Sequence, residues 1–523
     1  MINLKKQFLL GFSCLVAMAS VAQKKGDIQI KWGDNIPLTK KHYPVGFIGD
    51  EKTGFIQLTE KTNKEIGFTR ISGKLDAEDT KIEYLPKSKY LRFDDILELK
   101  GRSYIVFYDF SKSTMTQKLF AREIDMKSGG YAGEEILLLE EPATRAGHYN
   151  ITVPDEGEHI LVTKLLPRES KRDKINYDKY DYHLFNLELK KVWSKEVKMP
   201  YVEADMNILN RRLVGENILI FFQKKSENDD KKAEFDQLAV LQINGDLDEP
   251  KEHELDIKGT VFQEFIFGEN KGENLLIAGY YKSSRRAFPF AGYFTGIFNT
   301  ESYGLENVKT YSFSDEIIRG FESERTKRKL DKAIDKGKEI GIPYMEMRKI
   351  FNRKQGGWYV VGEQYHLVVT STTDSKGNVR YTYHYYFQDV IVSAIDKDGE
   401  EEWTTKVPKN QHFINNTYGA GISAFEYNDN VYVFFIDNLK NKALKSSESP
   451  IETRSIKDAT FTCVKVAENG SINRISLFDT KDEAKVILPY AMDEMSPGII
   501  LSAARKASFG RKAVNTPALL YLN

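Results

Sequence analysis

The chain has almost no cysteine. Only Cys14 and Cys463 occur in 523 residues. Cys14 falls within an N-terminal segment laid out like a secretory signal peptide. Lys5 and Lys6 lead into the apolar stretch Phe8 to Ala19, and Ser20-Val21-Ala22 supplies small residues before a cut that leaves Gln23 first. A lipid anchor on Cys14 is the lesser reading, because Ser13 precedes it and few apolar residues come earlier. Cleavage then leaves one thiol, which excludes an intramolecular disulfide and a cysteine metal site. Cys463 lies in Thr460-Phe461-Thr462-Cys463-Val464 and reads as a small apolar strand residue.

Net charge is missing as well. The 76 Lys and Arg balance 76 Asp and Glu, so no bulk attraction to nucleic acid is expected. No stretch after the leader approaches 18 apolar residues, so no transmembrane helix is expected in the mature chain. The eight His include no His-Glu-x-x-His, and the chain has no phosphate loop, Gly-x-Ser-x-Gly or dinucleotide fingerprint. No cofactor and no metal are expected.

What the chain does have is a repeat: a Gly or Asn turn, one or two polar residues, then an apolar run. It begins at Gly54, Gly101, Gly157, Gly215, Gly272, Gly357, Asn430 and Gly498. The spacing is about 47 to 58 residues in the first half and roughly 68 to 85 in the second. Short strands at a period near 50 predict a β-propeller. A second strand follows each phrase and ends in a turn such as Asn244-Gly245, Asp398-Gly399 or Asn469-Gly470, where a tight hairpin puts both residues at φ > 0.

With a strand before each phrase and a third after it, the unit has four strands, a to d. The fold class is all-β, a single propeller of eight blades, or seven if one short unit is irregular. The last unit lacks its fourth strand, and Asp27 to Trp32 is an orphan that would close the ring. The domains are a signal peptide over 1–22 and a propeller over 23–523. A helical insertion is expected over 315–342, N-capped by Ser314 and with Leu330, Ala333 and Ile334 on one face. It reads as a spacer on the blade edge or as a cover on one face.

Residues 355–411 carry a more specific pattern. Gly356-Gly357-Trp358-Tyr359-Val360-Val361-Gly362-Glu363-Gln364-Tyr365 leads through a Thr-rich hairpin to Tyr383-His384-Tyr385-Tyr386-Phe387, then Asp396-Lys397-Asp398-Gly399 and Trp403. This resembles a group of uncharacterised exported β-propeller-like proteins of Bacteroidota, and its Asp-x-Asp-Gly-x-x-x-Trp core resembles the generic bacterial β-propeller repeat. The resemblance implies a Gram-negative envelope or secreted setting, periplasmic or associated with the outer membrane. It implies no reaction.

Candidate binding residues come from that hairpin and from the loops. The hairpin is longer than the other b–c connections and should stand clear of the disk. It offers Trp358, Tyr365, Tyr383 and Tyr385, residues with an apolar face and a polar tip. His366 and His384 could face each other with Glu363 as a third ligand, but aromatic packing is the favoured reading. Calcium at Asp396 to Glu400 loses to the hairpin turn that Asp-Gly makes.

The b–c loops carry Arg168, Lys171, Arg172, Lys174, Lys282, Arg285, Arg286, Lys440, Lys442, Lys445, Arg505, Lys506, Arg511 and Lys512. The opposite turns carry Asp76, Glu78, Asp79, Asp155, Glu156, Glu158, Asp246, Asp248, Glu249, Asp398, Glu400, Glu401 and Glu402. A disk with one basic and one acidic face would draw an anionic partner.

Two functions fit. One is a non-enzymatic binding or scaffold propeller of the cell envelope, meeting an envelope protein or an anionic glycan or lipopolysaccharide. The other is a glycan hydrolase or lyase with carboxylates at the channel mouth, drawn from Asp94, Asp95, Asp205, Asp493 and Glu494.

Overall fold

The computed structural model describes residues 23–38, 43–61, 65–84, 92–153, 157–168, 175–225, 235–255, 261–268, 274–283, 287–445, 448–506 and 514–523. The signal-peptide reading, Cys14 included, lies outside the described residues. Eight antiparallel sheets follow one another along the chain, each with strands in the order a-b-c-d. Blade 1 runs from Tyr43 to Tyr84 and blade 2 from Arg92 to Pro142. Blades 3 to 5 run from Asn150 to Val202, Met206 to Leu255 and Val261 to Ser312. Blade 6 runs from Met345 to Val407, blade 7 from Ser423 to Asp479, and blade 8 begins at Lys485.

Eight apolar clusters fill the eight joints between successive blades. Between blades 2 and 3, Leu97, Tyr108 and Leu139 meet Tyr149, Val162 and Phe185. The last joint closes the ring, with Leu501 and Leu519 of blade 8 against Phe55 and Ile71 of blade 1. Each second strand is therefore covered on both faces. It reads as a continuous apolar run, such as Ile105-Val106-Phe107, and not as an alternation. The repeat phrase marks this strand in every blade.

The orphan N-terminal strand closes the ring as expected. Ile28–Trp32 pairs with Val514–Leu522 from Ile28 opposite Leu522 to Trp32 opposite Ala518. Gln23–Lys25 adds outside it, and Ile36–Pro37 pairs with the far end of Val514–Leu522. Cys463 is fully buried and packs in the joint between blades 7 and 8.

Two sequence expectations change in detail. In Asp398-Gly399 and Asn469-Gly470 only the glycines take positive φ, 76° and 78°. The Asp396 amide reaches the Glu400 carbonyl at 2.9 Å and the Gly399 amide reaches the Asp396 carbonyl at 3.1 Å. That is a type I turn followed by a left-handed glycine, which places the positive φ on one residue. The insertion is two helices: α1 (Asp315–Arg319), capped by Ser314, and α2 (Glu324–Ile334), capped by Ser323. The break falls at Gly320 to Glu322, with Phe321 at φ 60°. Ile318 and Leu330 pack onto blades 5 and 6, while Ile334, at the end of α2, is exposed.

A bulge recurs in the innermost strand. Register shifts fall at Pro44/Gly46, Phe93/Asp95, Ile208/Asn210, Phe262/Glu264 and Met347/Lys349. A bulge re-aims the unpaired residue. In blades 2 and 6 that residue is Asp94 and Arg348.

Candidate functional site: an arm on blade 6 and a polar seam between blades 2 and 3

The second and third strands of blade 6, Trp358–Thr373 and Val379–Ile395, have 16 and 17 residues. The second strands of the other blades have 7 to 10. The excess forms an arm in continuous register from Tyr365 opposite Phe387 to Thr373 opposite Val379. A further strand, Gln411–Ile414, flanks its root. Asp374 closes the tip by accepting from the Lys376 and Asn378 amides at 2.9 Å each.

Alternation gives the arm two unlike faces. Leu367, Val369, Val379, Tyr381 and Tyr383 share one face and are 40 to 58% exposed. The other face carries a ladder of stacked rings. Tyr344, His366, Tyr386 and His412 lie at successive centroid distances of 4.4, 4.6 and 4.3 Å. His384 Nδ1 is 3.1 Å from His412 Nε2, and His412 Nδ1 is 3.2 Å from Glu452. His366 does not meet His384: its cross-strand partner is Tyr386, and burial first, then the nearby His412, lowers its pKa.

Glu363 is no ligand either. Its side chain is 1% exposed and lies 2.7 Å from Lys409 and 2.9 Å from Arg348 at the arm's root. Trp358 sits half-buried at the opposite end of its strand and is not part of the arm. Tyr365 packs on Phe387 at 4.6 Å, and Tyr385 is half-buried beside Leu367. Of the expected aromatic set, the arm therefore gathers Tyr365 at its root, Tyr383, Tyr385 and the two histidines.

A cavity of about 510 Å³ separates the arm's root from the insertion. Ile318, Phe321 and Leu330 form its apolar side, and Asp389, Lys406 and Lys409 its charged side. The Lys406 ammonium lies 3.0 Å from the Gly320 carbonyl, 3.5 Å from Asp389 and 3.7 Å from Glu322. Burial raises the Asp389 and Glu322 carboxyls against the opposing Lys406 charge. Sequence reading missed this group because its members come from three separated segments.

The second region is the seam between blades 2 and 3. Glu141 ends the outer strand of blade 2, Gly130–Pro142. Opposite it, two rungs of blade 3 that share one face, on either side of Thr163–Tyr182–Lys195, present Lys164–Asp181–Glu196 and Val162–His183–Ser194. The Lys164 ammonium and the Tyr149 hydroxyl both donate to Glu141 Oε1, the latter at 2.9 Å. Burial alone would raise the Glu141 carboxyl, but contacts from His183, Lys164 and Tyr149 outweigh it and hold it at about 2. The sequence signal was Asp181-x-His183 on a strand followed by Ser194-x-Glu196 on the next, a period-2 polar pattern beside an apolar one.

The channel-mouth carboxylates are only partly assembled. Asp94, on its bulge, has a 7% exposed side chain 3.8 Å from His148. Burial pushes its pKa up to about 6, with Asp95 adding to the rise and His148 opposing it. Asp493 on blade 8 lies in electrostatic reach of Glu98 on blade 2, and burial raises both. Asp205 is instead paired with Lys225 at 2.9 Å, and Glu494 accepts from the Gly498 amide at 3.0 Å.

Several of the loop charges among the described residues are engaged. Arg285, Arg286, Arg511, Lys512, Lys171, Arg172 and Lys174 lie outside the described residues, as does the Lys506 side chain. Arg168 pairs with Glu203 and Lys442 with Asp479. Lys282 lies over Phe290 and Arg505 over Tyr418. On the opposite turns, Glu78 pairs with Arg70, Glu400 with Lys309 and Glu402 with Arg353. Asp396 accepts from the Asp398 and Glu400 amides, which makes it a turn residue.

No family model and no curated protein matches the chain. Among solved structures it is similar over 90% of its length to a prolyl endopeptidase, at 9% identity and a TM-score of 0.38. It spans 55% of that chain. It is similar to the WD40 domain of SCAP from fission yeast at 9% identity and a TM-score of 0.38, covering 96% of this chain and 97% of that one. A Synechocystis apocarotenoid oxygenase follows at 7% identity and a TM-score of 0.32, with 94% of each chain covered. Likenesses this distant carry no functional argument, and the propeller rests on its own sheets and joints. Among the described residues no helix is long and apolar enough to cross a membrane.

Proposed function

We propose that this chain is a binding propeller of the bacterial cell envelope that holds a protein partner on the blade 6 arm. One observation carries the reading: five large apolar side chains lie exposed on a single face of a hairpin that extends past its sheet. Monomeric surfaces rarely expose such a contiguous patch without a use for it. An exposed strand pair also suits β-type recognition, in which side chains on alternate positions select the partner. The envelope setting is supported by the N-terminal signal-peptide pattern. The apolar character of the arm's open face favours a protein over an anionic glycan or lipopolysaccharide.

The test is co-purification from the native envelope of the mature protein and of a variant with 367–383 replaced by a short Gly-containing turn. The intact arm is expected to retain one stoichiometric partner that the shortened arm loses. Equal recovery on both would sink the reading.

A second reading, a glycan hydrolase, is favoured by Asp94, whose buried carboxyl holds its proton up to about 6, as a general acid needs. Turnover of an envelope glycan that disappears in Asp94→Asn would support it. Absence of turnover across a glycan panel would remove it.

A further inference from the structure

The blade 2–3 seam gathers the carboxylates Glu141, Asp181 and Glu196 around Lys164, and one nitrogen of His183 has no hydrogen-bond partner among the described residues. Glu141, Asp181 and His183 each bring a ligand atom within 4.8 Å of the others. Glu196 stands beside Asp181 on the same rung and adds to the repulsion at Asp181. Among the described residues Lys164 is the one ammonium in contact with Glu141, and it is 5% exposed.

The donors are distributed in a telling way. Both Lys164 and Tyr149 address Glu141 Oε1. Oε2 points instead at His183 Nε2, 3.5 Å away. That separation is long for a hydrogen bond between buried groups, and Nε2 has no hydrogen-bond partner among the described residues. His183 is only 9% exposed, so water does not readily supply one. Its other nitrogen, Nδ1, lies 2.9 Å from Ser194 Oγ. With Ser194 accepting from Nδ1–H, the lone pair stays on Nε2, the outer-shell arrangement that orients a metal-binding imidazole.

We propose that the seam binds one divalent first-row metal ion of zinc type through Glu141 Oε2, an Asp181 carboxylate oxygen and His183 Nε2. Two donors on a tetrahedral ion at ~2.0–2.1 Å lie about 3.3–3.4 Å apart, close to the gap between Oε2 and Nε2. The imidazole selects against calcium and magnesium, which prefer oxygen alone. Three protein ligands leave one position for water. Glu141 stands one residue from the end of its strand, so the ion enters from the adjoining loop. The site sits on other blades than the arm and does not depend on the partner-binding reading.

The experiment uses the mature full-length protein, stripped with chelator and titrated with ZnCl₂ by calorimetry and with CoCl₂ by visible absorption. One equivalent of zinc and an absorption band of low-symmetry four-coordinate cobalt are expected. His183→Gln and Asp181→Asn keep side-chain volume and should each abolish the band while circular dichroism still reports the β fold. Ser194→Ala should weaken zinc roughly 10-fold by freeing the imidazole. No uptake by the wild type, or uptake unchanged in His183→Gln, would overturn the site.

Discussion

Histidine lies at the heart of both the seam and the arm, and the two regions use it in opposite ways. In the seam, His183 is enclosed by carboxylates, one ammonium and a serine, and one of its nitrogens is left open. On the arm, His366 is sandwiched between Tyr344 and Tyr386, and His412 stacks on Tyr386 at the arm's root. The seam is a place where polar atoms converge on a point. The ring ladder is a stiffener that spreads across three strands and leaves the opposite face free for contact. The same residue type therefore signals chemistry in one blade and mechanical support in another, and only its neighbours decide which.

The largest stability effect is expected at the arm's root. Lys409 is 1% exposed and opposes Glu363 at 2.7 Å. Lys409→Ala leaves a buried carboxylate with Arg348 as its remaining cation, and should cost about 3 kcal/mol in denaturant melts. The double change Lys409→Met with Glu363→Gln should recover most of it. A loss under about 1 kcal/mol for the single change would mean that the root is wetter than its burial implies. The arm would then be no better anchored than the surface loops.

The seam's rim offers a pH-dependent contrast. Asp94 has its carboxyl raised from the ordinary 3.8 to about 6 by burial, against the opposing pull of His148. A folded-state pKa above the unfolded one favours the protonated form in the fold. That contribution is complete below about pH 4 and is lost as pH rises through about 6. Asp94→Asn should therefore match the wild type near pH 4 and exceed it above pH 6, by up to about 3 kcal/mol. Urea melts at a series of pH values would show this. A gap that does not widen with pH would show that the Asp94 charge is well solvated, and would weaken its candidacy as a proton donor.

These positions also show how far the sequence could be read. The repeat phrase marks the second strand of all eight blades because burial on both faces forces an apolar run. The closing strand was visible because an amphipathic pentapeptide at one end matched a missing strand at the other. The insertion was visible through its Ser314 cap and the spacing of Leu330, Ala333 and Ile334, though not the break at Phe321 or the second cap at Ser323. Asp94 was legible as a carboxylate near the channel. Its burial was not, because it depends on a bulge that no local pattern signals. Glu141 and His183 lie 42 positions apart on different sheets, and what joins them is blade packing. His412 escaped notice because the short strand that carries it reads as a loop after Val407-Pro408. Trp358 and Glu363 were placed with the arm by proximity along the chain. A strand long enough to begin in the disk and end beyond it separates them.

A smaller effect is expected in the ladder. Tyr386 is stacked between His366 at 4.6 Å and His412 at 4.3 Å. Tyr386→Leu keeps much of the apolar bulk but removes both ring contacts, and should cost about 1 kcal/mol. Amide exchange in residues 379–387 should rise with it. A change confined to global stability, with exchange in the arm unaltered, would mean that the ladder does not stiffen the arm.

The smallest effect on stability is expected on the arm's open face, where it should be paired with the clearest effect on binding. Tyr381 and Val369 are 58 and 48% exposed and stand opposite Ser371 and Tyr383. Tyr381→Ser with Val369→Thr leaves the backbone ladder intact, and threonine keeps the strand preference of valine. Exposed substitutions of this kind stay within about 0.5 kcal/mol each. The melt should barely move while recovery of the envelope partner falls. If the pair instead cost more than about 2 kcal/mol, the apolar face would be covered by the chain's own structure. Arm and seam would then be two versions of the same buried packing, and the seam alone would remain as a site.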